Sequence, residues 1–256
     1  MLEDSYEIFG ASRPGPWLIT VDHASPRVPN EVAGGDLGLD ARDMNRHIAY
    51  DIGALGLARA LGQSLDSVVI ASRFSRLVID PNRGEDDPTL VMQLYDGSII
   101  PANRGISPAA IEARRERYYR PYHAAISELA AARPASALLS VHSYTPQLRG
   151  RPPRPWHVGV LYAHDDRLAR PLLRRLAAEP NLVVGDNEPY TGALKGDAMD
   201  RHGVQTGHAH VLIELRNDLI ATAEDQSAWA SRLAPILNAA LKDCMPELFA
   251  QTAQSG

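Results

Sequence analysis

Apolar residues in this chain come in short continuous runs of strand length, separated by longer stretches in which they recur every three or four positions. The runs at 17–23 (WLITVDH), 67–72 (SVVIAS), 76–80 (RLVID), 137–142 (ALLSVH), 157–163 (HVGVLYA), 181–186 (NLVVGD) and 210–216 (HVLIELR) are rich in β-branched residues. Apolar side chains on successive residues mark strands covered on both faces. Helical spacing is read over 43–65, 107–132, 166–178 and 224–243. The second of these opens with Ser107 as a cap and Pro108 at the first helical position, stops before Pro134, and is expected to kink at Pro121. The alternation predicts an α/β protein: a three-layer αβα arrangement with a mixed, largely parallel sheet. No repeat, low-complexity tract or linker divides the chain, so residues 1–256 are expected to form one domain.

The irregular stretches 24–42, 84–106, 144–156 and 187–207 are rich in Pro, Gly, Asp or Asn. In open α/β sheets the ligand lies in the crevice beyond the strand ends, so these loops are where polar chemistry is sought. Several chemistries are absent: no GxSxG elbow, no phosphate-binding GxxxxGK[ST], no GxGxxG after a strand, no HExxH and no CxxC.

Composition narrows the partners. With 256 residues, 45% hydrophobic and 22% charged, and a net charge of -5 spread without blocks, the chain offers no basic footprint for nucleic acid or an anionic membrane surface. The N-terminal segment MLEDSYEIFGASRPGPW lacks the order of a signal peptide, and no run approaches the ~18 apolar residues of a membrane span. The single cysteine, Cys244, has no internal disulfide partner and suits a reducing compartment; the cytoplasm is the expected location.

What remains is polar groups at strand ends. The first run leads into Asp22 and His23, the 137–142 run ends on His142 with Ser143 and Tyr144 following, and the last contains Glu214 and Arg216. Two histidines and a carboxylate arriving from separate strands are what a catalytic zinc needs: nitrogen and oxygen ligands, a base and an open position. Asn82 and Arg83, after the 76–80 run, form a multi-donor receptor for a carboxylate or an oxyanion.

The segments VDHASPRVP (21–29), HIAYDIGALGLARAL (47–61), SRLVIDPNR (75–83), YYRPYHAAI (118–126), SVHSYTP (140–146), RPWHVGVLY (154–162), GDNEPY (185–190) and HVLIELRNDLI (210–220) resemble, in order, the N-formylglutamate amidohydrolase family. That resemblance implies a fold similar to zinc carboxypeptidases and to the aspartoacylase and succinylglutamate desuccinylase group, of the phosphorylase/hydrolase type. It also implies a zinc-dependent hydrolase that cleaves the N-formyl or another N-acyl amide of an acidic amino acid. His23 and His142 become metal ligands, Glu214 the general base, and Asn82 with Arg83 the groups that hold the substrate carboxylate or polarise the scissile carbonyl. The exopeptidase ligand pair His-x-x-Glu is not met, because Pro26 stands three residues after His23. Asp51 is favoured as the third ligand, with His47 and Glu31 as rivals.

Tyr144, Arg154, His157 and Arg216 are further candidates to contact a small carboxylate substrate, and Trp156 and Tyr190 to wall its pocket. His202 could touch substrate; His123, His164, His208 and His210 are read as structural or exposed. Two alternatives stand beside the main reading: a zinc carboxypeptidase or other N-acyl amino acid deacylase using the same groups, and a metal-free protein that binds a small acid. Oligomeric state is not legible in the sequence.

Overall fold

A computed structural model describes residues 5–247. Nine strands form, β1 (Tyr6–Phe9), β2 (Trp17–Val21), β3 (Val68–Ser72), β4 (Leu94–Tyr95), β5 (Ser98–Ile99), β6 (Ala137–Tyr144), β7 (Val158–Leu161), β8 (Val184–Asp186) and β9 (His210–Arg216). The helices are α1 (Ala41–Met44), α2 (Ala54–Ser64), α3 (Pro108–Arg114), α4 (Arg120–Ala131), α5 (Ala169–Ala177) and α6 (Ala223–Cys244). Seven strands make one mixed sheet in the order β1-β3-β2-β6-β9-β7-β8. The centre β3-β2-β6-β9 is parallel, β1 is antiparallel to β3, and β7 with β8 runs against β9.

Side chains alternate across this sheet, as the period of two requires. Trp17, Ile19 and Val21 of β2, Leu139 and Val141 of β6, and Val211 and Ile213 of β9 share one apolar core with α2, α5 and α6. Leu18, Leu138 and Leu212 point the other way and pack on Tyr122, Ala125 and Ile126 of α4. The three layers expected from the sequence are therefore present. The helix caps also form: Ser107 accepts a hydrogen bond from the Ala110 amide, and Thr222 with Asp225 makes a reciprocal capping box at the start of α6. No helix among the described residues is long and apolar enough to cross a membrane.

Three expectations are corrected. Residues 76–80 form turns rather than a strand, although Leu77, Val78 and Ile79 are fully buried in a second cluster with Phe74, Tyr118 and Tyr119. Their backbone carbonyls are satisfied without a strand ladder: the Asn103 amide donates to Leu77 O and the Arg114 guanidinium to Val78 O. A continuous apolar run reports burial, and burial alone does not distinguish a strand from a packed loop. The helix expected over 43–65 is broken into α1 and α2, because Gly53 takes φ 80° and the Asp51 amide donates to His23 O at 2.9 Å. The helix over 107–132 is interrupted ahead of Pro121. It widens into a π-helical turn at Arg115–Tyr119, immediately before the proline whose missing N–H interrupts the α-helical bonding.

Two features have no counterpart in the expectation, the short edge strand β1 and the hairpin β4–β5, which turns at Asp96 and Gly97 with φ of 42° and 80°.

Gly53 sets the approach of the Asp51 loop to the chain after β9: a Cβ there would lie 2.2 Å from Ile220 O. Gly53→Ala is therefore expected to destabilise the protein by about 1–3 kcal/mol, from positive φ and the clash together. A urea-unfolding midpoint indistinguishable from wild type would contradict this.

Candidate active site

The C-terminal ends of β2, β6 and β9 lie side by side, so the residues that end these strands converge. His142 of β6 stands directly opposite Glu214 of β9 in the parallel register, and Asp22 and His23 follow β2 next door. Ser140, His142 and Tyr144, and likewise Leu212 and Glu214, project from the α4 side of the sheet, beyond the end of the α4 packing.

Asp51, delivered by the loop between α1 and α2, sits between the two imidazoles. Its Oδ2 is 2.7 Å from His142 Nδ1 and 3.3 Å from His23 Nδ1, and it accepts the Ser143 amide at 3.3 Å. The far nitrogen of each ring is also held by a carboxylate: His23 Nε2 is 2.7 Å from Asp80 Oδ1, and His142 Nε2 is 3.2 Å from Asp22 Oδ2. Arg76 forks onto Asp80 through Nε and Nη2 at 3.1 and 2.8 Å and reaches Asp51 at 3.5 Å; the Tyr122 hydroxyl donates to Asp22 at 2.7 Å. All these carboxylates and both imidazoles are buried.

This arrangement is short of positive charge. A neutral imidazole has one N–H and one lone pair, yet each ring meets a carboxylate at both nitrogens. With Asp80 and Asp22 accepting the Nε2 protons, both Nδ1 lone pairs point at the Asp51 oxygen. In the same cluster three carboxylates face one guanidinium, so with neutral rings two negative charges remain uncompensated, a costly state in the interior. Without a cation the imbalance is met by protons: burial alone would lower the His142 pKa, but its hydrogen bonds to Asp22 and Asp51 raise it well above the usual histidine value. Burial likewise would raise Asp51, and the charges and hydrogen bonds of His23 and His142 outweigh it and hold the carboxyl low. His23, Asp51 and His142 each offer a ligand atom within 4.8 Å of the others. A divalent cation held by His23, Asp51 and His142 would relieve the lone-pair conflict and the charge together, and the Asp80 and Asp22 contacts to the far nitrogens would be the supports that orient metal-binding histidines. The donor set fits such an ion.

Glu214 is 7% exposed and its Oε2 has no hydrogen-bond partner; burial pushes its carboxyl up to about 7. It borders a cavity of about 290 Å³ together with the His23–Asp51–His142 group.

The other sequence candidates divide by position. Asn82, Arg83, Tyr144 and Tyr190 border the cavity; Arg154, Trp156, His157 and Arg216 do not. Arg83 spends Nη1 on Asn82 O and Nε on Thr89, which leaves Nη2 without a hydrogen bond among the described residues. Asn82 is fixed by its amide on Asp80 and by its side-chain oxygen, which accepts from the Ala198 amide. The Tyr144 hydroxyl donates to Trp156 O at 2.5 Å, so its ring, rather than its O–H, faces the cavity. Arg154 stacks over Tyr144 and Tyr190, Arg216 pairs with Asp218, and His157 accepts the Val183 amide; these three brace the wall from behind.

Of the rivals to Asp51, His47 borders the cavity but stands apart from the donor group, 3.6 Å from Asp96, and Glu31 is exposed and paired with Arg117. His202 is buried against His123, Nε2 to Nδ1 at 2.8 Å, and burial pushes the two rings down to about 4 and about 3, so that pair is neutral. His210, expected to be structural or exposed, is buried and borders the cavity.

Sequence reasoning assigns no role to Asp80, Arg76 or Tyr122, and names Asp22 only as the neighbour of His23. One signal is available: a buried run flanked by Arg76 and Asp80, four residues apart, has to pair its charges internally.

A sequence model of the family described as N-formylglutamate amidohydrolase matches residues 15–221. The chain is 30% identical over 264 residues to the N-formylglutamate deformylase of Pseudomonas putida, covering 93% of this chain and 94% of that protein. It is 30% identical over 263 residues to the enzyme of the same name from Pseudomonas aeruginosa, covering 92% and 93%. Among solved structures, the gene product Atu2144 from Agrobacterium tumefaciens superposes with a TM-score of 0.88 at 33% identity, over 93% of this chain and 95% of that one. The N-formylglutamate amidohydrolase from Ralstonia eutropha JMP134 shares the fold, with a TM-score of 0.59 at 22% identity over 92% and 98%.

The support geometry has a measurable consequence. Asp22→Asn, which keeps the shape but removes the charge behind His142, is expected to weaken zinc binding by about 10–100-fold in competition with a chromogenic chelator. Unchanged affinity would show that Asp22 does not act through the imidazole.

Proposed function

The chain belongs to the N-formylglutamate amidohydrolase family, and from that premise we propose that it hydrolyses the N-formyl, or another N-acyl, amide of a carboxylate-bearing amino acid such as N-formyl-L-glutamate. His23, Asp51 and His142 would hold one divalent ion, zinc by the mix of imidazole and carboxylate donors. The observation that carries the reading is the convergence of the His23 and His142 Nδ1 atoms on Asp51 beside a buried glutamate with an unpaired oxygen.

A divalent ion in this site supplies Lewis acidity, making water easier to ionise and an acyl oxygen easier to attack. The protein's own groups do the rest. The Glu214 carboxylate takes the proton of the attacking water and returns it to the amide nitrogen as the C–N bond breaks, giving a carboxylate, formate in the simplest case, and a free amine. Its raised pKa suits both halves of that cycle. The unpaired Nη2 of Arg83 binds the substrate carboxylate, and Asn82 holds that arginine's loop against the Ala198 backbone. Burial of the whole cluster keeps bulk water from competing.

A carboxypeptidase or a deacylase of bulkier acyl groups would use the same groups, and a substrate panel separates these readings. A metal-free binding protein is disfavoured by the unpaired Glu214, which serves no structural bond. A single unpaired cysteine agrees with a cytoplasmic setting, and the one seven-stranded sheet agrees with one domain.

Glu214→Gln is expected to lower kcat on N-formyl-L-glutamate by about 10²–10⁴-fold while metal content remains that of wild type. Full turnover in the metal-loaded variant would remove Glu214 from the mechanism; absence of turnover in the metal-loaded wild type on every N-acyl amino acid would overturn the hydrolase reading.

A further inference from the structure

The cavity does not stop at the metal-binding group. It continues along the sheet face beside β9, where Glu214, Leu212 and His210 follow one another on the same side, and beside β7, whose Leu161 pairs with Leu212. At about 3.3 Å per residue, Glu214 and His210 are about 13 Å apart along β9. Leu161, Leu212 and Met199 make the walls of this trough apolar, and its far end is polar.

That far end is built, not incidental. His210 is 2% exposed, borders the cavity, and its Nε2 has no hydrogen-bond partner. Its Nδ1 donates to His208 O at 2.8 Å, with Asp165 Oδ2 at 3.9 Å, which leaves Nε2 without a partner among the described residues. Gly203 makes space for the ring, since a Cβ there would sit 2.4 Å from His210 Cγ. The rim above is pinned too: Asn187 Oδ1 accepts from the amides of Tyr162 and Gly192, at 3.0 and 3.1 Å.

N-formylglutamate does not fill this length. From the formyl carbon to the side-chain carboxyl carbon are five bonds, about 6–7 Å in extended form. Its second carboxylate also lacks an obvious cation: of the arginines that border the cavity, Arg76 is committed to Asp80 and Asp51, and only Arg83 has an unpaired nitrogen.

We propose that the trough is a second subsite, which admits N-acyl amino acids with one carboxylate and an extended, largely apolar arm ending in a hydrogen-bond donor that meets His210 Nε2. The phenol of N-formyltyrosine has this chemistry: its oxygen lies roughly 9 Å from the formyl carbon, and a hydrogen bond adds about 2.8 Å. The inference rests on the amidohydrolase reading for where the amide sits, and its test reads binding, so that the two fail separately.

Binding of N-formyltyrosine, N-formylphenylalanine and N-formylglutamate is measured by calorimetry on the metal-loaded Glu214→Gln protein, in which turnover is slowed, alone and combined with His210→Phe or Leu212→Trp. The expected result is that N-formyltyrosine binds about tenfold more tightly than N-formylphenylalanine. His210→Phe, which keeps the ring but not the acceptor, is expected to erase that difference. Leu212→Trp, which fills the trough from another position, is expected to weaken N-formyltyrosine relative to N-formylglutamate by about tenfold. Equal binding of the tyrosine and phenylalanine compounds, or a preference that survives both variants, would overturn the subsite. Loss of hydrolysis in the wild type, with the binding preference intact, would instead overturn the amidohydrolase reading.

Discussion

One carboxylate, Asp51, holds the centre of this protein together, and it does so in a charge arrangement that the chain alone does not balance. It is shared by His23, His142, the Ser143 amide and, at longer range, Arg76. These groups come from separate parts of the fold: the end of β2, the end of β6 and the buried loop after β3. The site is therefore also a structural junction. Asp22 and Asp80, which close the outer sides of the two imidazoles, extend the network outward to Tyr122 of α4 and to Arg76. A cluster with two lone pairs aimed at one oxygen and a surplus of buried negative charge is stable in only two ways, by taking up protons or by taking up a cation. The second is what would give the cluster the proposed chemistry.

The sheet explains why these groups meet. Parallel neighbours place equivalent strand ends at one edge, so His23, His142 and Glu214 arrive together without any long-range design beyond register. The reversal of direction at β7 does something different. Because β7 runs against β9, the cavity follows the seam between them inward from Glu214 instead of ending at the strand tips. The edge where these polar groups meet and the apolar cavity wall beside β7 are consequences of the same strand order.

Much of this is legible in the sequence for a plain reason. Strands buried on both faces announce themselves as apolar runs, and polar residues that interrupt such runs at their ends have few structural uses; His23, His142 and Glu214 stand out on that ground. Asp51 is harder, because it lies in a stretch with helical spacing that the structure breaks at Gly53, and the break is what turns the carboxylate inward. Residues 76–80 mislead in the opposite direction: the apolar run reports their burial but not their geometry, since side chains of Asn103 and Arg114 replace the strand partners. Tyr122 gives no signal because it acts through a contact with Asp22 a hundred residues away, and a single chain does not display such pairings. Arg154, His157 and Arg216 attract notice by their charge and proximity to loop segments, but their side chains are spent on packing, a backbone hydrogen bond and an ion pair behind the wall.

The proposed hydrolysis depends on a cation at Asp51. Elemental analysis of protein purified without chelator, wild type beside His142→Ala, tests that dependence most directly. About one zinc per chain in the wild type, lost in the variant while the fold is retained by circular dichroism, is the predicted result. Protein that takes up no divalent metal even when zinc is supplied would contradict it.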